Sequence, residues 1–547
     1  MNLRLRSILF LKENSKEITV RFIFAVSLIA LFIAALPLFS VNCIQGHDID
    51  YHLLRIEALK TGILNGLPYL RVNMLFFGGE GYASSMFYPD FLLYIPAVLR
   101  ALGVGINLSF HIFIAVCLIL TFIVMYLSAG YISESPVTAL ISAVVYSLCQ
   151  YHIDDIYTRA AVGEFTAMIF IPAVIAGLFD LTEKEFKKPW ILGVGMAGVL
   201  LCHTLSTIFC LILCVVTVMI RFRVFVKEPV RILKVMLTGV SALCLTAFYW
   251  IPMLEQVAVT EFKYLDSVFD VNYEKLLLRD IFANSVGHMG IAAFILLFAG
   301  LLIEHKGDKI VRTADIMMAA GLLFALCTTG FFPWKRLERF VSSVQFPWRL
   351  FIMTSVLISM AAAVYISKAS VNREKAAVIA VLMIMTVSAV SNINRIDEGY
   401  YSYSSDYYDE VKFTKSVIGG EWLPRTVTDR DALGREPDIA VNDRGDKIYV
   451  DRYKNTLSVS KAAGEYIDVP FVYYLGYAAV DSYGKSLNVD GTGKNGRVRV
   501  WTDGAGEFTV YYKGTFMQTF SDIISILTLI ILAGCGIIRK VTWRKAT

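Results

Sequence analysis

The sequence predicts a polytopic α-helical membrane protein with a β-sandwich domain near its C-terminus, and three observations support this fold class. Hydrophobic residues make up 56% of the 547 residues, and the mean hydropathy is +0.60, which is outside the range of ordinary soluble proteins. Many apolar runs are about 20 residues long, enough for a helix to cross a hydrocarbon core of roughly 30 Å. One polar segment, residues 394–519, has instead the short alternating runs that are typical of β-strands.

The distribution of basic residues predicts the orientation of the apolar runs. Lysine and arginine collect in short connections, at residues 1–21, 183–189, 221–234, 304–312, 368–375 and 538–547. Such clusters usually face the cytoplasm. We therefore expect both termini to be cytoplasmic, and we expect a retained first helix at about residues 22–41, since no small-residue cleavage site follows it.

An odd number of spans must then separate the first helix from the basic connection at residues 183–189. Four apolar runs lie between them, at about residues 90–104, 107–130, 137–150 and 164–181. The first of these runs is short and contains Pro96 and Arg100, so we expect it to lie in the membrane interface without crossing. The polar segments 42–106 and 151–164 then face the same, outer side.

The rest of the chain predicts about twelve spans in total. Residues 190–220 would form one helix of about 45 Å, which is too long for a single span, so we expect two helices that turn near His203 and Thr204. The further spans are expected at about residues 235–253, 286–303, 313–331, 349–367, 376–393 and 520–538. The predicted domains are a helical domain over 1–393, with an outer loop over 42–106, then an outer β-domain over 394–519, and a final helix with a basic tail over 520–547.

The β-domain prediction depends on alternating runs that are separated by turn signals. The runs are KIYVDRY, TLSVS, GRVRVWT and GEFTVYY, and the turn signals are DRGD, DGTGKNG and TDGAGE. This pattern favours a sandwich of the jelly-roll type.

Two carboxylates follow the first helix in the stretch GHDIDYH, at Asp48 and Asp50. If a helix begins near Asp50, its residues Leu53, Ile56, Leu59 and Leu64 form an apolar face that suits the membrane surface. An aspartate at a helix start is commonly a cap. A carboxylate here could instead accept a proton from an incoming hydroxyl as a general base, and the two roles are compatible.

Other polar residues are predicted on the same outer face. Arg159 and Glu164 could neutralise each other; alternatively Arg159, or the region of Arg336 and Arg349, could hold a phosphate, for which a guanidinium group is suited. His203 lies in an apolar run, where a histidine is more often a hydrogen-bonded packing residue. The side chains of His47, Asp48 and His52 could bind a divalent cation, but their spacing is not diagnostic, so the metal is unknown and no cofactor is assigned.

The order of several short motifs resembles a known family. GHDIDYHLLRIEALKTGILNGLPYLR followed by GYASSMFYPDFLLYIPAVL is similar to the GT-C superfamily of membrane glycosyltransferases. Within it, YHIDDIYTRAAVGE, QFPWRLF, GGEWLP and FVYYLGYAAV resemble bacterial YfhO-like proteins. They also resemble bacterial membrane proteins labelled "6-pyruvoyl-tetrahydropterin synthase related", although the chain has no recognisable site for a pterin.

The resemblance implies an inverting sugar transfer from a polyprenyl-phosphate donor to an acceptor outside the membrane, such as teichoic acid or another cell-envelope glycan. It implies Asp48 as the catalytic base, with Asp50 as the second candidate, although the HDID spacing lacks the adjacent acidic pair of some relatives. The predicted partners are the donor, the acceptor and the lipid bilayer, without nucleic acid. The predicted substrate-binding residues are His52, Asp154, Asp155, Arg159, Glu164, His203, Arg336 and Arg349.

Two other functions fit parts of the sequence. A transporter or flippase for lipid-linked sugars would place charged or broken elements near the bilayer midplane, whereas the acidic residues here lie at the outer ends of the predicted helices. A non-catalytic scaffold with a carbohydrate-binding β-domain would leave the same acidic residues with structural roles.

Overall fold

The computed structural model describes residues 20–67, 69–266, 270–303, 307–369, 371–397, 400–401 and 420–546. Three segments of the predictions lie outside these ranges: residues 1–19 of the basic N-terminal segment, residues 304–306 of one basic connection and residues 402–419 of the expected β-domain. The predicted cytoplasmic N-terminus, at residues 1–19, lies outside the described residues.

Most of the described chain before residue 398 is helical. The helices are α1 Val20–Ala34, α2 Ile49–Leu64, α3 Ser84–Phe87, α4 Tyr94–Ala101, α5 Ile106–Ser133, α6 Pro136–Ser147, α7 Gln150–Tyr157, α8 Val162–Glu183, α9 Pro189–Leu200, α10 Thr204–Ile220, α11 Phe222–Lys227, α12 Val230–Leu245, α13 Ala247–Val259, α14 Gly290–Leu297, α15 Lys309–Cys327, α16 Trp334–Val341, α17 Phe351–Lys368 and α18 Val371–Asp397, and α19 Phe516–Ala546 follows the strands.

Several of these helices have the length and composition of membrane spans. Within the described ranges, five helical segments are long and apolar enough to cross a bilayer, and the count rises to seven if the bent pairs α6–α7 and α12–α13 are each one span. Other apolar helices are shorter, such as α9 with 12 residues and α10 with 17. Helix length and composition thus support five to seven crossings among the described residues, and the count of twelve stays a prediction.

The predicted break inside the long apolar run is present. α9 ends at Leu200 and α10 begins at Thr204, with His203 in an extended conformation at the start of α10. α9 packs closely against α8. A Cβ added to Gly177 of α8 would lie only 2.6 Å from Leu192 of α9. Small residues of this kind let two apolar helices approach each other.

The interpretation of α2 as a surface helix with a membrane-facing side is wrong. Leu53, Ile56 and Leu59 are buried inside the protein, and Leu64 alone of the four is exposed. The polar side of the helix is buried as well, because Arg55 forms an ion pair with Asp90 and the Glu57 carboxylate pairs with an arginine of α4. Because its charged side chains are ion-paired, the polar face of α2 can be buried in the protein as well as the apolar face.

The β-part consists of two five-stranded antiparallel sheets. Their strands are β3 Ile439–Asn442, β4 Lys447–Tyr449, β5 Asp451–Tyr453, β6 Thr456–Val459, β7 Tyr466–Val472, β8 Tyr477–Asp481, β9 Ser486–Leu487, β10 Val489–Asp490, β11 Arg497–Trp501 and β12 Phe508–Tyr512; a separate pair is formed by β1 Cys43–Ile44 and β2 Tyr400–Tyr401. One five-stranded sheet has the order β10-β11-β7-β3-β4 and the other β5-β6-β12-β8-β9. All four alternating runs form strands, whereas the packing of the sheets as a jelly-roll sandwich stays a prediction.

The sheets are fastened to the helical part by a buried carboxylate. Glu80, from the loop between α2 and α3, is fully buried. It accepts hydrogen bonds from Arg497 Nε at 3.0 Å, from Arg497 Nη2 at 2.7 Å and from the Gly434 backbone N–H at 2.8 Å. Separating the partners of such a buried pair is strongly destabilising. The loop that carries Glu80 is therefore expected to stay attached to the sheets.

Candidate functional site

The start of α2 lies against the turn between α7 and α8. The backbone N–H of His47 donates to Thr158 O, and that of Asp48 donates to Arg159 O, both at 3.0 Å. These two bonds join the two predicted outer segments, 42–106 and 151–164.

Gly46 allows this close approach. A Cβ added to Gly46 would lie 2.6 Å from the Ala160 Cβ, which is shorter than any ordinary contact. Ala160 itself has a φ of 50°, a left-handed conformation that is unfavourable for a residue with a side chain. The local backbone is thus shaped to place Asp48 next to Arg159.

Glu164, at the start of α8, connects the charged groups of the site. It accepts from Arg159 Nη1 and Nη2 at 2.9 and 2.8 Å, from Arg349 Nε at 3.0 Å and from the Tyr151 hydroxyl at 2.8 Å. Arg159 also pairs with Asp155. The predicted neutralisation of Arg159 by Glu164 is therefore present, and it leaves Arg159 with little capacity to bind a ligand.

Arg349 has more capacity. Its Nη1 donates to Val344 O at 3.0 Å and to Gln345 Oε1 at 2.6 Å, while its Nη2 donates to no residue in the described ranges. The side chain is 17% exposed, compared with 6% for Arg159. Arg349 is thus a fixed guanidinium group with one side open to a bound anion.

The Asp48 carboxylate is not used as a helix cap. Asp48 occupies the cap position of α2 without a side-chain hydrogen bond to the helix, so the capping interpretation is wrong for this residue. Burial raises the pKa of Asp48, and the charges of Arg159 and Arg349 lower it in part. A carboxylate with a raised pKa that makes no ion pair within the described ranges is suited to accept a proton.

His203 and Tyr88 form a wall of the site across Gly163. An added Cβ at Gly163 would lie 2.5 Å from the Tyr88 hydroxyl and 3.0 Å from His203 Cδ2. His203 Nδ1 is hydrogen-bonded to Ser206 Oγ at 2.8 Å, as expected for a packing residue. Burial lowers the pKa of His203 to about 4, so its imidazole is neutral at pH 7.

A family model, "Family of unknown function (DUF6541)", matches residues 12–393. The chain belongs to the DUF6541 family. An uncharacterized protein of Lactococcus lactis subsp. cremoris is 23% identical over 348 residues, which are 59% of this DUF6541 chain and 56% of that relative.

Two solved structures are similar to parts of this DUF6541 protein. The arabinofuranosyltransferase AftD from Mycobacteria matches 69% of the chain with 15% identity and a TM-score of 0.44, and 27% of AftD is covered. The archaeal oligosaccharyltransferase AglB from Archaeoglobus fulgidus matches 71% with 12% identity and a TM-score of 0.40, and 57% of AglB is covered. The DUF6541 chain spans less than two thirds of each of these relatives.

Three predicted substrate-binding residues of this DUF6541 protein either contact other side chains or lie on a different helix from the site. Asp154 accepts from Gln150 Nε2 at 2.7 and 2.8 Å and pairs with Arg395 of α18, away from the Asp155–Arg159 pair. His52 is buried, and its Nδ1 contacts Arg55 Nη1 at 3.0 Å. Arg336 lies on the exposed helix α16 and contacts none of the site residues within the described ranges.

Two carboxylate oxygens in this region are buried without a hydrogen-bond donor from the described part of the chain, Asp50 Oδ1 and Asp155 Oδ2. Asp155 is completely buried. Buried polar atoms usually have a partner, so these oxygens are open to a hydrogen-bond donor from outside the described part of the chain.

The predicted cation site at His47, Asp48 and His52 does not form. No group of three or more His, Cys, Asp or Glu side chains within the described ranges is arranged to hold a metal ion. His47 is exposed while His52 is buried against Arg55, so these two imidazoles do not converge on Asp48.

A further carboxylate beside the site, Glu421, could not be predicted from residue spacing. Burial raises the pKa of Glu421, the Asp48 charge raises it further, and Arg349 lowers it. The residue lies in GGEWLP, a motif that contributes to the family resemblance but indicates no role for the glutamate. Since 373 positions separate it from Asp48, no local pattern connects the two residues.

Proposed function

We propose that this DUF6541 protein is a GT-C-type glycosyltransferase that moves a sugar from a polyprenyl-phosphate donor to an acceptor on the outer side of the membrane. The observation that carries the proposal is that one polar site holds both Asp48, a carboxylate without an ion-pair partner among the described residues, and Arg349, a guanidinium group with one open side. A base and an anion-binding group within one polar site are the two elements that this reaction needs.

The residues suggest a division of roles in the transfer. The acceptor hydroxyl loses its proton to Asp48, and its oxygen attacks the anomeric carbon of the donor sugar. The bond from that carbon to the phosphate oxygen breaks, and the polyprenyl phosphate leaves with both bonding electrons. Arg349 stabilises the additional negative charge on the phosphate, while Glu164 holds the Arg349 and Arg159 side chains in place.

Finer parts of the proposal come from the sequence. The motif order that resembles GT-C and YfhO-like proteins supports a lipid-linked donor and a cell-envelope acceptor such as teichoic acid. The basic connections support an outward-facing site, about twelve spans and an outer β-sandwich. The donor's lipid tail would enter between apolar helices.

The test is a transfer assay with purified protein and a panel of radiolabelled undecaprenyl-phosphate sugars. We expect the wild type to transfer or hydrolyse the sugar of at least one donor, and Asp48→Asn to lose activity by at least about 100-fold, since an amide cannot accept the proton. His47→Gln, which changes an exposed neighbour, is the matched control and should retain activity.

Each outcome separates the functions that fit the sequence. Retained activity in Asp48→Asn, with loss in Asp50→Asn, would move the base to Asp50. Complete inactivity of the wild type with every donor would contradict the enzyme, and movement of an unaltered lipid-linked sugar across vesicle membranes would instead indicate a flippase. Binding of glycans without either activity would indicate a scaffold.

A further inference from the structure

The segment that carries Glu421 is held tightly beside the site. Its backbone pairs with the segment after α13, because Tyr264 N–H donates to Glu421 O at 2.7 Å and Lys263 N–H donates to Leu423 O at 3.0 Å. The Trp422 N–H also donates to the Tyr82 hydroxyl at 3.1 Å. These bonds fix the position of Glu421 from two sides.

Ring stacking places the same segment next to Tyr88. The Trp422 ring stacks on Phe87 with a centroid distance of 4.4 Å and an interplanar angle of 3°. Phe87 directly precedes Tyr88, whose ring lies 6.3 Å from that of His203. The Glu421 segment therefore packs against the end of α3, directly before the Tyr88 side chain that forms one wall of the site.

The Glu421 carboxylate is open to a ligand. It is partly exposed, and it forms no ion pair and no hydrogen bond to another side chain in the described part of the chain. By contrast, the nearby Glu261 is paired with Arg425 at 3.2 Å. The charge of Asp48 raises the pKa of Glu421, which is consistent with two carboxylates that face one polar space.

We infer that Glu421 is an acceptor-positioning residue, which accepts a hydrogen bond from one hydroxyl of a polyol or sugar acceptor while Asp48 takes the proton of the neighbouring hydroxyl. The inference rests on the proposed transferase function and names the acceptor class, a molecule with adjacent hydroxyl groups. It also makes the segment that leads into the sheets a part of the site, which couples the β-part to the chemistry.

This arrangement separates the two substrates by charge. Arg349 and its partners favour the anionic phosphate of the donor, whereas Asp48 and Glu421 favour the hydrogen-bond donors of the acceptor. A carboxylate bonded to a hydroxyl contributes more to binding than a neutral amide does. Loss of the Glu421 charge is therefore expected to weaken acceptor binding more than donor binding.

The test measures transfer kinetics for the wild type and for Glu421→Gln, with poly(ribitol phosphate) and a glucose oligosaccharide, which both carry adjacent hydroxyl groups, as acceptor probes and the donor that the wild type uses. We expect Glu421→Gln to raise the acceptor KM about 10-fold, with the donor KM and acceptor-independent donor hydrolysis within about twofold of wild type. Glu421→Asp should restore part of the acceptor affinity, and Glu261→Gln should behave as wild type.

The outcomes distinguish this inference from the proposed function. An unchanged acceptor KM in Glu421→Gln, or an equal rise in both KM values, would overturn the role of Glu421 while the transferase stands. Absence of transfer by the wild type with every donor and both probes would overturn both. Since a structural defect would lower both substrate affinities and the melting temperature, retained donor hydrolysis excludes simple misfolding.

Discussion

At the scale of single residues, the ionisation of Asp48 connects the structure to a pH profile. A base works only when it is deprotonated, so activity should fall as the pH falls through the raised pKa of Asp48. The positive charge of Arg349 lowers that pKa. We therefore predict that Arg349→Gln moves the acidic limb of the kcat/KM profile to higher pH, by about one unit, in addition to lowering the rate.

The matched control for this prediction is Arg336→Gln. Arg336 was expected to bind substrate, but it lies on the exposed helix α16, so its removal should leave the acidic limb in place. Equal shifts in the two variants would indicate a general charge effect and would contradict a specific interaction between Arg349 and Asp48.

Residue spacing predicted part of the site and missed the rest for geometric reasons. The Arg159–Glu164 pair was foreseeable because five residues separate the partners. The bond from Arg349 to Glu164 joins residues 185 positions apart, which no local pattern reveals. Asp154 and Asp155 are adjacent, but neighbouring helical side chains point in different directions, so only Asp155 meets Arg159 while Asp154 meets Arg395.

For the secondary-structure elements, periodicity predicted where helices and strands form, but it did not predict whether their apolar faces contact lipid or protein. The helix α2 begins where the sequence indicated, at Ile49. An apolar stripe fits lipid and protein equally well, however, and the partners of Arg55 and Glu57 that bury the polar side lie in a different part of the chain. The break before α10 was predictable, because helix length is limited by the thickness of the bilayer.

The contact between α2 and the α7–α8 turn gives a prediction at this scale. Gly46→Ala would force its Cβ into Ala160 and separate Asp48 from Arg159. We expect a loss of about 1–3 kcal/mol in stability and, because small displacements of a base are costly, an activity decrease of up to about 100-fold. Thermal unfolding and the transfer assay measure the two effects.

Gly239→Ala is the control for this substitution. Gly239 has open space around its Cα, and alanine favours a helix interior over glycine, so stability and activity should be retained. Normal activity of Gly46→Ala would show that the site tolerates a wider spacing, and would remove the argument that the backbone is shaped for Asp48.

In the whole molecule, the structure agrees with the distribution of basic residues on one feature, which is that two polar segments lie together. Parity placed residues 42–106 and 151–164 on one side of the membrane, and the hydrogen bonds from His47 and Asp48 to Thr158 and Arg159 join these two segments. The side that they share is predicted by the basic connections, since neither the hydrogen bonds nor the helix lengths carry information on orientation. A label on His47 therefore reports the compartment of the complete site.

We predict that His47→Cys reacts with a membrane-impermeant thiol reagent in intact cells and that Lys187→Cys, in a basic connection, reacts only after permeabilisation. His47 is exposed, and the Lys187 side chain is 72% exposed, so both positions are open to the reagent. The exposed native thiol of Cys535 is removed in both variants by Cys535→Ser. Labelling of Lys187→Cys but not His47→Cys in intact cells would place Asp48 and Arg349 in the cytoplasm, where the proposed outer acceptor cannot reach them.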